Sequence, residues 1–368
     1  MSETILSIEP RLPPAVCGTS MYGWRLTEHW PDQSRRFVHA VVDGAEASRR
    51  QFATEDIVET GQSSSGLLAA LEKHAGGGAI LHYASRGYHR YGIPIWLARG
   101  IARWRRRNPV APLLVFFHEV PQPLPMRSRH YILERINRAI IRLLCRKASV
   151  LMTNAPEHAQ RLSELSGRAS VEWLPVPSNI PAPPDVESTI AGRRRREFVI
   201  FGLPFTHLLT VRAFEKELAA WQSAGLIEKV HLIGPNDAKF SPQTAALLRT
   251  LLPEDRIVTH GPLEPRAVSA LLMSAGFCLT QNTGANFSKS GTFAAFAVHG
   301  CAVVARLGAG PEPLAFLVQP EEVADPQMRS DFSEFDRRAR ALREWYLRAS
   351  DWPVISAKVR AAFDQCGK

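Results

Sequence analysis

Short apolar runs alternate with helix-like stretches along this chain of 368 residues, and that alternation restricts the folds it can adopt. Parallel strands need long crossover connections, which are usually helices, so the alternation predicts parallel sheets covered by helices. The pattern occurs twice, on either side of a proline-rich stretch at residues 175–184. Because 368 residues exceed the size of one ordinary core, we expect an α/β protein with two Rossmann-like, doubly wound domains.

The predicted domain boundaries follow from where the alternation stops and restarts. The first domain is placed at residues 1–180, a linker at 181–197, the second domain at 198–335 and closing helices at 336–368. Strands are predicted at 4–8, 37–42, 79–83, 113–118, 150–153 and 171–175, and then at 198–201, 230–233, 257–260, 277–280 and 302–305.

Composition excludes several classes of protein. Apolar residues make up 45% of the chain, as in a globular protein, and no run of about 18 uncharged apolar residues predicts a membrane-spanning helix. The start of the chain is acidic where a signal peptide is basic, so we expect a cytoplasmic protein. The five cysteines lack the spacing of a zinc site or a disulfide framework, and we expect no bound metal.

Positive charge is concentrated in one part of the first domain. The net charge is +10, and between residues 86 and 147 the only acidic residues are Glu119 and Glu134. The arginines of this stretch include Arg99, Arg103, Arg105, Arg106, Arg107, Arg127, Arg129, Arg135, Arg138, Arg142 and Arg146. Such a face attracts anions, for example an anionic membrane surface, a polyprenyl diphosphate or nucleic acid. The alternative is a set of arginine-rich helix faces that are only solvated.

Residues 281–305 have the order loop, helix, glycine turn and buried strand. The loop ends in Ser288, Lys289, Ser290 and Gly291, and a helix of small residues follows from Thr292. A helix N-terminus has free backbone N–H groups and the positive end of the helix dipole, and both favour an anion. We therefore predict a phosphate-binding cradle at residues 288–292.

This segment resembles the donor-binding part of GT-B glycosyltransferases of the retaining family-4 type, whose pattern is E-x7-E ending in small-Gly-x-Pro-Val-Val. With Gly300 set on the glycine of that pattern, the two acidic positions fall on Phe287 and Ala295. A second departure follows the first strand of the second domain, where the family has G-R-x4-K. Here Gly202 is followed by leucine, and His207 lies near the position of the expected lysine. The order of elements therefore matches the family, while the acidic pair and the Arg/Lys pair are missing.

The same resemblance assigns roles to three further turns. Gly18 and Thr19 match the glycine-bearing first loop of the family, close to the donor phosphate and the acceptor, with a plain turn as the alternative. Gly234, Gly261 and Leu263 lie in turns that hold the nucleotide base and ribose in the family, largely through backbone groups.

His118 and Glu119 follow an apolar strand of the first domain, at the sheet edge where α/β proteins bind ligands. They resemble the His-Glu-Pro turn of bacterial phosphatidylinositol mannosyltransferases. The implied roles are an imidazole that hydrogen-bonds the transferred sugar and a carboxylate that orients it or takes the acceptor proton. The alternative is a structural histidine beside a surface glutamate. Aromatic residues at 83–91 are either an acceptor-binding loop or part of the core.

Taken together, the resemblance implies a metal-independent glycosyltransferase of the hexosyltransferase type, with a C-terminal helix that crosses back to the first domain. It would transfer a sugar from a nucleotide-diphosphate sugar to a polysaccharide or lipid-linked acceptor in the interdomain cleft, without a cofactor. We expect a cytoplasmic enzyme, either peripheral on the inner face of the membrane or not bound to a membrane. Two alternatives stay open. One is a catalytically inactive GT-B-like partner subunit, and the other is a nucleic-acid-binding α/β protein, although no nucleic-acid recognition motif is seen and no such partner is expected.

Overall fold

The structure is a computed structural model that describes residues 4–15, 18–32, 34–122, 124–126, 128, 130–282, 284–306 and 310–367. The chain forms two units, one of residues 1–175 with 352–368 and one of residues 176–351. Arg127 and Arg129 of the basic stretch, and Cys17, one of the five cysteines, lie outside the described residues.

The first unit is built on a seven-stranded parallel sheet. Its strands are β1 (Thr4–Glu9), β2 (Arg36–Val41), β3 (Ile57–Glu59), β4 (Ala79–Tyr83), β5 (Leu113–Phe117), β6 (Val150–Thr153) and β7 (Glu172–Trp173). Their order is β3-β2-β1-β4-β5-β6-β7, and every pair is parallel. In such a sheet the strand order reverses between β1 and β4, and ligands bind at the carboxyl ends of the strands near that point.

Helices connect these strands. They are α1 (Gly18–Glu28), α2 (Ala45–Phe52), α3 (Ser64–His74), α4 (Ser85–Tyr88), α5 (Ile95–Arg107), α6 (Tyr131–Lys147) and α7 (Pro156–Ser166), with the last helix of the chain, α17 (Trp352–Asp364), packed against α1. One face of the sheet carries the main apolar core, which includes Leu81, Val115 and Phe117 together with Leu97 and Ile101 of α5. The other face carries several polar side chains.

The second unit has a five-stranded parallel sheet in the order β10-β9-β8-β11-β12. Its strands are β8 (Arg194–Phe201), β9 (Lys229–Ile233), β10 (Ile257–Gly261), β11 (Ala275–Leu279) and β12 (Ala302–Val304). Its helices are α8 (Val186–Thr189), α9 (Pro204–Ala213), α10 (Glu215–Ser223), α11 (Ser241–Leu251), α12 (Pro265–Ser274), α13 (Gly291–Val298), α14 (Pro320–Ala324), α15 (Pro326–Ser330) and α16 (Ser333–Ala349). Here the order reverses between β8 and β11.

The two predicted Rossmann-like sheets are confirmed. The C-terminal helix α17 belongs to the first unit, as the predicted crossover requires, whereas α16 belongs to the second. The predicted linker at 181–197 contains α8, and β8 begins within it at Arg194. No strand was predicted at β3. Helices α9 and α10 meet at Phe214, whose φ of −110° interrupts the α-helical backbone.

Candidate functional site

Three glycine turns interlock at the carboxyl edge of the second sheet. Gly202 follows β8, Gly234 follows β9 and Gly261 ends β10, and all three have positive φ angles of 145°, 144° and 68°. The amide of Gly202 donates to the carbonyl of Ile233 at 3.0 Å, and the amide of Gly234 donates to that of Gly261 at 3.1 Å. At these three positions the chain has no side chain of its own, which lets a ligand approach the main chain.

Helix α13 begins beside these turns with a capped N-terminus. Ser290 is the N-cap, and its Oγ accepts from the amide of Phe293 at 3.1 Å and from the Asn282 side chain at 2.9 Å. The sequence predicted that the amide of Ser290 is available to an anion. It donates instead to the Phe287 carbonyl. The amides of Gly291 and Thr292, in the first turn, have no acceptor within the helix and are the donors that remain.

The predicted cradle residues are brought together with the glycine edge. A Cβ built on Gly202 would lie 3.5 Å from Thr292 Oγ1, which places the turn after β8 next to the start of α13. Apart from its chain neighbours and its own helix backbone, no described residue has an atom within 4 Å of the place where a Cβ on Gly291 would sit, so the backbone there is open to a ligand. Lys289 is exposed, and Ser288 is partly buried with its carbonyl bonded to the Val176 amide.

Two residues that sequence reasoning passed over also shape this edge. Asn282 holds the N-cap, as described above, and Asn236 Nδ2 lies 3.5 Å from the place of a Cβ on Gly261. A cavity of about 250 Å³ opens next to Asn236 and is lined by His207, Gly234, Ser241 and Thr244. Leu263 is partly buried and packs against the apolar cluster beneath the edge. Both asparagines follow buried strands, which is the signal that could have identified them.

His118 is placed at the carboxyl end of the first sheet, directly after β5. Its ring stacks on Phe116 at 4.8 Å between centroids and meets the Tyr22 ring edge-on at 4.9 Å. Its Nε2 lies 3.2 Å from Nδ1 of His82 on β4. Burial, with the nearby His158 imidazole adding to it, lowers the pKa of His118 to about 3. The side chain is therefore a neutral hydrogen-bonding group at physiological pH.

The other residues predicted for the first unit differ in exposure. Glu119 is exposed next to His118, and Gly18 and Thr19 are the first residues of α1, with Gly18 open to solvent. Of the aromatic residues at 83–91, Tyr83 and Tyr88 are fully buried in the core, whereas Tyr91 is 53% exposed. The core alternative is thus correct for two of the three tyrosines.

The basic stretch is partly structural. Arg105 donates to the carbonyl groups of Lys147 and Asn108, and Arg107 pairs with Glu72. Exposed arginines on α5 and α6 are Arg99, Arg103, Arg106, Arg107, Arg135, Arg142 and Arg146. Exposed apolar residues lie in the same stretch, with Met126 at 80% and Ile132 at 70% exposure. The face thus combines cations with apolar side chains. Arg105 differs from the other arginines because its guanidinium bonds backbone carbonyl groups.

Within the described ranges, no three His, Cys, Asp or Glu side chains are grouped as a metal site. In the same part of the chain, every helix is too short or too polar to cross a bilayer.

No protein-family model and no curated protein matches this sequence. Solved structures do match over nearly the whole chain. Anabaena HepE in complex with UDP and glucose is 13% identical with a TM-score of 0.67, over 98% of this chain and 99% of HepE. An alpha-glucosyltransferase in complex with UDP is 12% identical with a TM-score of 0.64, over 99% of both chains. Sucrose-phosphate synthase from Thermosynechococcus elongatus is 13% identical with a TM-score of 0.64, over 98% of both chains. This chain has the GT-B fold.

Within the GT-B fold, the two positions that carry acids in the family-4 pattern are part of the apolar core here. Phe287 is 3% exposed and its ring packs on Phe293 at 4.5 Å, while Ala295 is fully buried. A carboxylate at either position would be desolvated by these neighbours. The apolar residues that stand in place of the acidic pair are therefore part of the core around α13.

His207 is not a cation and so does not replace the lysine of the G-R-x4-K pattern. It is 5% exposed, and its Nε2 lies 3.0 Å from the carbonyl oxygen of Ile233, to which it donates. Burial lowers the pKa of His207, with the bond to Ile233 opposing that shift. The neutral ring supports the turn at Gly234, and Lys289 is the exposed cation next to the start of α13.

Proposed function

We propose that this protein is a glycosyltransferase that takes a sugar from a nucleoside-diphosphate sugar, with the donor held on the second unit. The observation that carries the proposal is the junction of the glycine edge with the N-terminus of α13. Several solved structures of the same fold hold UDP or UDP-glucose, so a uridine nucleotide is the first candidate.

The donor diphosphate would bind at Gly291 and Thr292. Their free amides and the helix dipole favour an anion, and the open space around Gly291 allows phosphate oxygens to approach the backbone. Lys289 adds a positive charge at the same place. Preorganised amides of this kind stabilise a leaving diphosphate without a metal ion, so we propose metal-independent transfer without a cofactor.

The nucleoside would lie over the turns at Gly234, Gly261 and Leu263. Backbone groups dominate there, and Asn236 supplies a side-chain amide that can hydrogen-bond a ribose or a base. The cavity next to Asn236 gives a ligand room to enter.

The acceptor would bind on the first unit, close to His118, Glu119 and the start of α1 at Gly18 and Thr19. A neutral His118 can exchange hydrogen bonds with sugar hydroxyl groups, and the exposed Glu119 can take a proton from the acceptor hydroxyl. The exposed arginines of α5 and α6 favour an anionic acceptor or an anionic membrane surface. We propose a glycan or lipid-linked acceptor in polysaccharide assembly, used by a cytoplasmic enzyme that associates peripherally with the membrane.

One observation favours a second candidate, a binding subunit without catalysis. Both family carboxylates are replaced by buried apolar residues, Phe287 and Ala295. Such a protein would keep nucleotide binding at α13 and lack transfer.

The deciding experiment has two stages. Thermal unfolding is measured with UDP, GDP, ADP, TDP and CMP, because a ligand at about 100 times its dissociation constant stabilises a protein by about 2.7 kcal/mol. The sugar forms of the best nucleotide are then incubated with the protein, and released nucleotide is measured. Binding with release supports the glycosyltransferase, and binding without release supports the subunit. If no nucleotide stabilises the protein, both candidates are wrong.

A further inference from the structure

A row of polar side chains runs across one face of the first sheet, on the strands that flank the point where the strand order reverses. Ser7 and Glu9 lie on β1, His39 on β2 and His82 on β4, and all four are at most 3% exposed. His118 continues the row after β5. Alternate residues of a strand share a face, and the parallel register places Ser7 opposite His39 and His82 opposite Phe116, two residues before His118.

Glu9 is the charged member of this row. It is fully buried, and its Oε1 accepts from the Ser7 hydroxyl and lies 3.2 Å from His39 Nδ1. Burial raises the pKa of Glu9, but its interactions with His39, His82 and Ser7 outweigh that effect and lower it below the usual value. Helix α1 passes close by, since a Cβ on Gly23 would lie 2.5 Å from Glu9 Oε1. A carboxylate enclosed in this way is costly unless neighbouring groups donate to it.

His82 lies on the strand between those that carry Glu9 and lead to His118. Residue Ile8 pairs with Leu81, so the next positions along the same strands are Glu9 and His82. His82 Nε2 and Glu9 Oε2 are both buried, and neither has a hydrogen-bond partner among the residues that the structure describes. On its other side, His82 Nδ1 lies 3.2 Å from His118 Nε2.

The two imidazoles must share one proton between these nitrogens. Burial lowers the pKa of both His82 and His118 to about 3, so each ring is neutral and has one N–H donor and one acceptor nitrogen. An ionised carboxylate only accepts hydrogen bonds. The negative charge of Glu9, at the adjacent strand position, favours the proton of His82 on Nε2, the ring nitrogen without a partner among the described residues. Nδ1 is then an acceptor for the Nε2–H of His118.

We propose that Glu9, acting through His82, holds His118 as the Nε2–H tautomer and leaves the lone pair of His118 Nδ1 available at the carboxyl end of β5. Glu9 and His82 are positioning residues, because they act on His118 and not on a ligand.

The orientation gives His118 a defined chemical role. An unprotonated Nδ1 accepts a hydrogen bond from a hydroxyl group, whereas the opposite tautomer would donate there. The ligand class is therefore a polyol such as a sugar, whose hydroxyl group donates to Nδ1. This last step rests on the proposed glycosyltransferase function, but the tautomer itself does not.

The tautomer can be measured without any ligand. In protein labelled with ¹⁵N-histidine at pH 7.5, long-range ¹H–¹⁵N NMR distinguishes a protonated from an unprotonated ring nitrogen, and His118→Phe identifies the signals of that ring. We expect Nε2 of His118 to be protonated and Nδ1 to be unprotonated. A wild-type spectrum with the proton on Nδ1 overturns the proposal.

Variants test whether Glu9 and His82 set the tautomer. Glu9→Met removes the acceptor at similar side-chain length, and His82→Phe removes the link while keeping a ring, so in both we expect the Nδ1–H form of His118 to appear. Tyr22→Phe is the matched control, because the Tyr22 ring packs against His82 and His118 and the substitution removes only its hydroxyl, so it should leave the tautomer unchanged. An unchanged tautomer in a folded Glu9→Met or His82→Phe protein contradicts the proposal, as does a change in Tyr22→Phe. If either variant fails to fold, the wild-type spectrum still decides.

Activity supplies an independent measurement. Loss of a residue that orients a metal-ligating imidazole typically costs about 10- to 100-fold in activity. By analogy we expect a fall of about that size in kcat for Glu9→Met, with an unchanged dissociation constant for UDP. If the protein turns over no nucleotide sugar, the proposed function fails, and the NMR result stands on its own.

Discussion

The carbonyl oxygen of Gly202 occupies the place where a Cβ on Gly234 would be. Gly234 also has a φ of 144°, which side chains rarely adopt, and its amide is bonded to the carbonyl of Gly261. The glycine turns at Gly202, Gly234 and Gly261 are thus locked to one another through their backbones.

The first prediction follows from that contact. Gly234→Ala should lower the free energy of unfolding by at least about 2 kcal/mol, since it adds both a steric overlap and a strained φ. The change is measured by urea unfolding of wild type and variant. Gly192→Ala is the control, because a Cβ at Gly192 meets no atom within 4 Å and its φ is ordinary. Equal stability of the Gly234 and Gly192 variants would contradict the observed packing.

The second prediction concerns pH and His82. Because burial lowers the pKa of His82 to about 3, while an unfolded histidine titrates near pH 6.5, the unfolded state binds more protons between these values. Stability should therefore be fully present above about pH 6.5 and fall as the pH is lowered, with His82 alone accounting for about 2 kcal/mol at pH 5. Urea unfolding at pH 7.5, 6 and 5 measures this slope. The slope should be shallower in His82→Phe, and an identical slope would mean that folding does not lower the pKa of His82.

The third prediction concerns the chemistry at the end of β5. His118→Ala should lower turnover by about 10²- to 10⁴-fold while leaving UDP affinity almost unchanged, because the proposed donor site lies on the other unit. Steady-state kinetics and calorimetry separate the two effects. Glu119→Gln should have a smaller effect if Glu119 only orients its neighbour. Normal turnover in a folded His118→Ala enzyme would show that this histidine is structural.

The fourth prediction concerns the basic face. Charge reversal at Arg106, Arg142 and Arg146 should strongly reduce sedimentation with anionic liposomes, since each cation near such a surface contributes about 1 kcal/mol. Arg105 is left intact because it holds backbone carbonyls. The control reverses three exposed cations of the second unit, Arg212, Lys216 and Arg266, and should bind as wild type does. If wild-type protein ignores anionic liposomes and is retained on duplex DNA, the face serves nucleic acid instead.

The sequence predicted the two parallel sheets because buried parallel strands are continuous apolar runs, such as Leu113–Phe117, that periodicity reveals directly. It also located the edge of the second sheet, since Gly202, Gly234 and Gly261 each end a strand. The short edge strand Ile57–Glu59 was missed because it is only partly buried and has a polar residue at its end.

The details of the site depend on contacts between distant segments, which no local pattern contains. The amide of Ser290 donates to the Phe287 carbonyl because Gly284–Lys289 form a 3₁₀ helix that ends there. The sequence predicted only a loop at this place. Similarly, His82 is separated from His118 by 36 residues, and only the pairing of β4 with β5 brings the two rings together. The role of Arg105 as a tie to backbone carbonyls was hidden for the same reason.

The most direct test of the proposed donor site is isothermal titration of UDP into wild type, Gly291→Val and Gly192→Val. Among the described residues beyond its chain neighbours and its own helix, a Cβ at either glycine meets no atom within 4 Å, so neither valine should disturb the fold. Only the valine at Gly291 stands where the diphosphate is proposed to lie. We predict that wild type and Gly192→Val bind UDP with equal affinity and that Gly291→Val binds at least about tenfold more weakly, a loss of 1.4 kcal/mol or more. Equal affinity in all three proteins, or no binding of UDP to wild type, would contradict the proposed donor site.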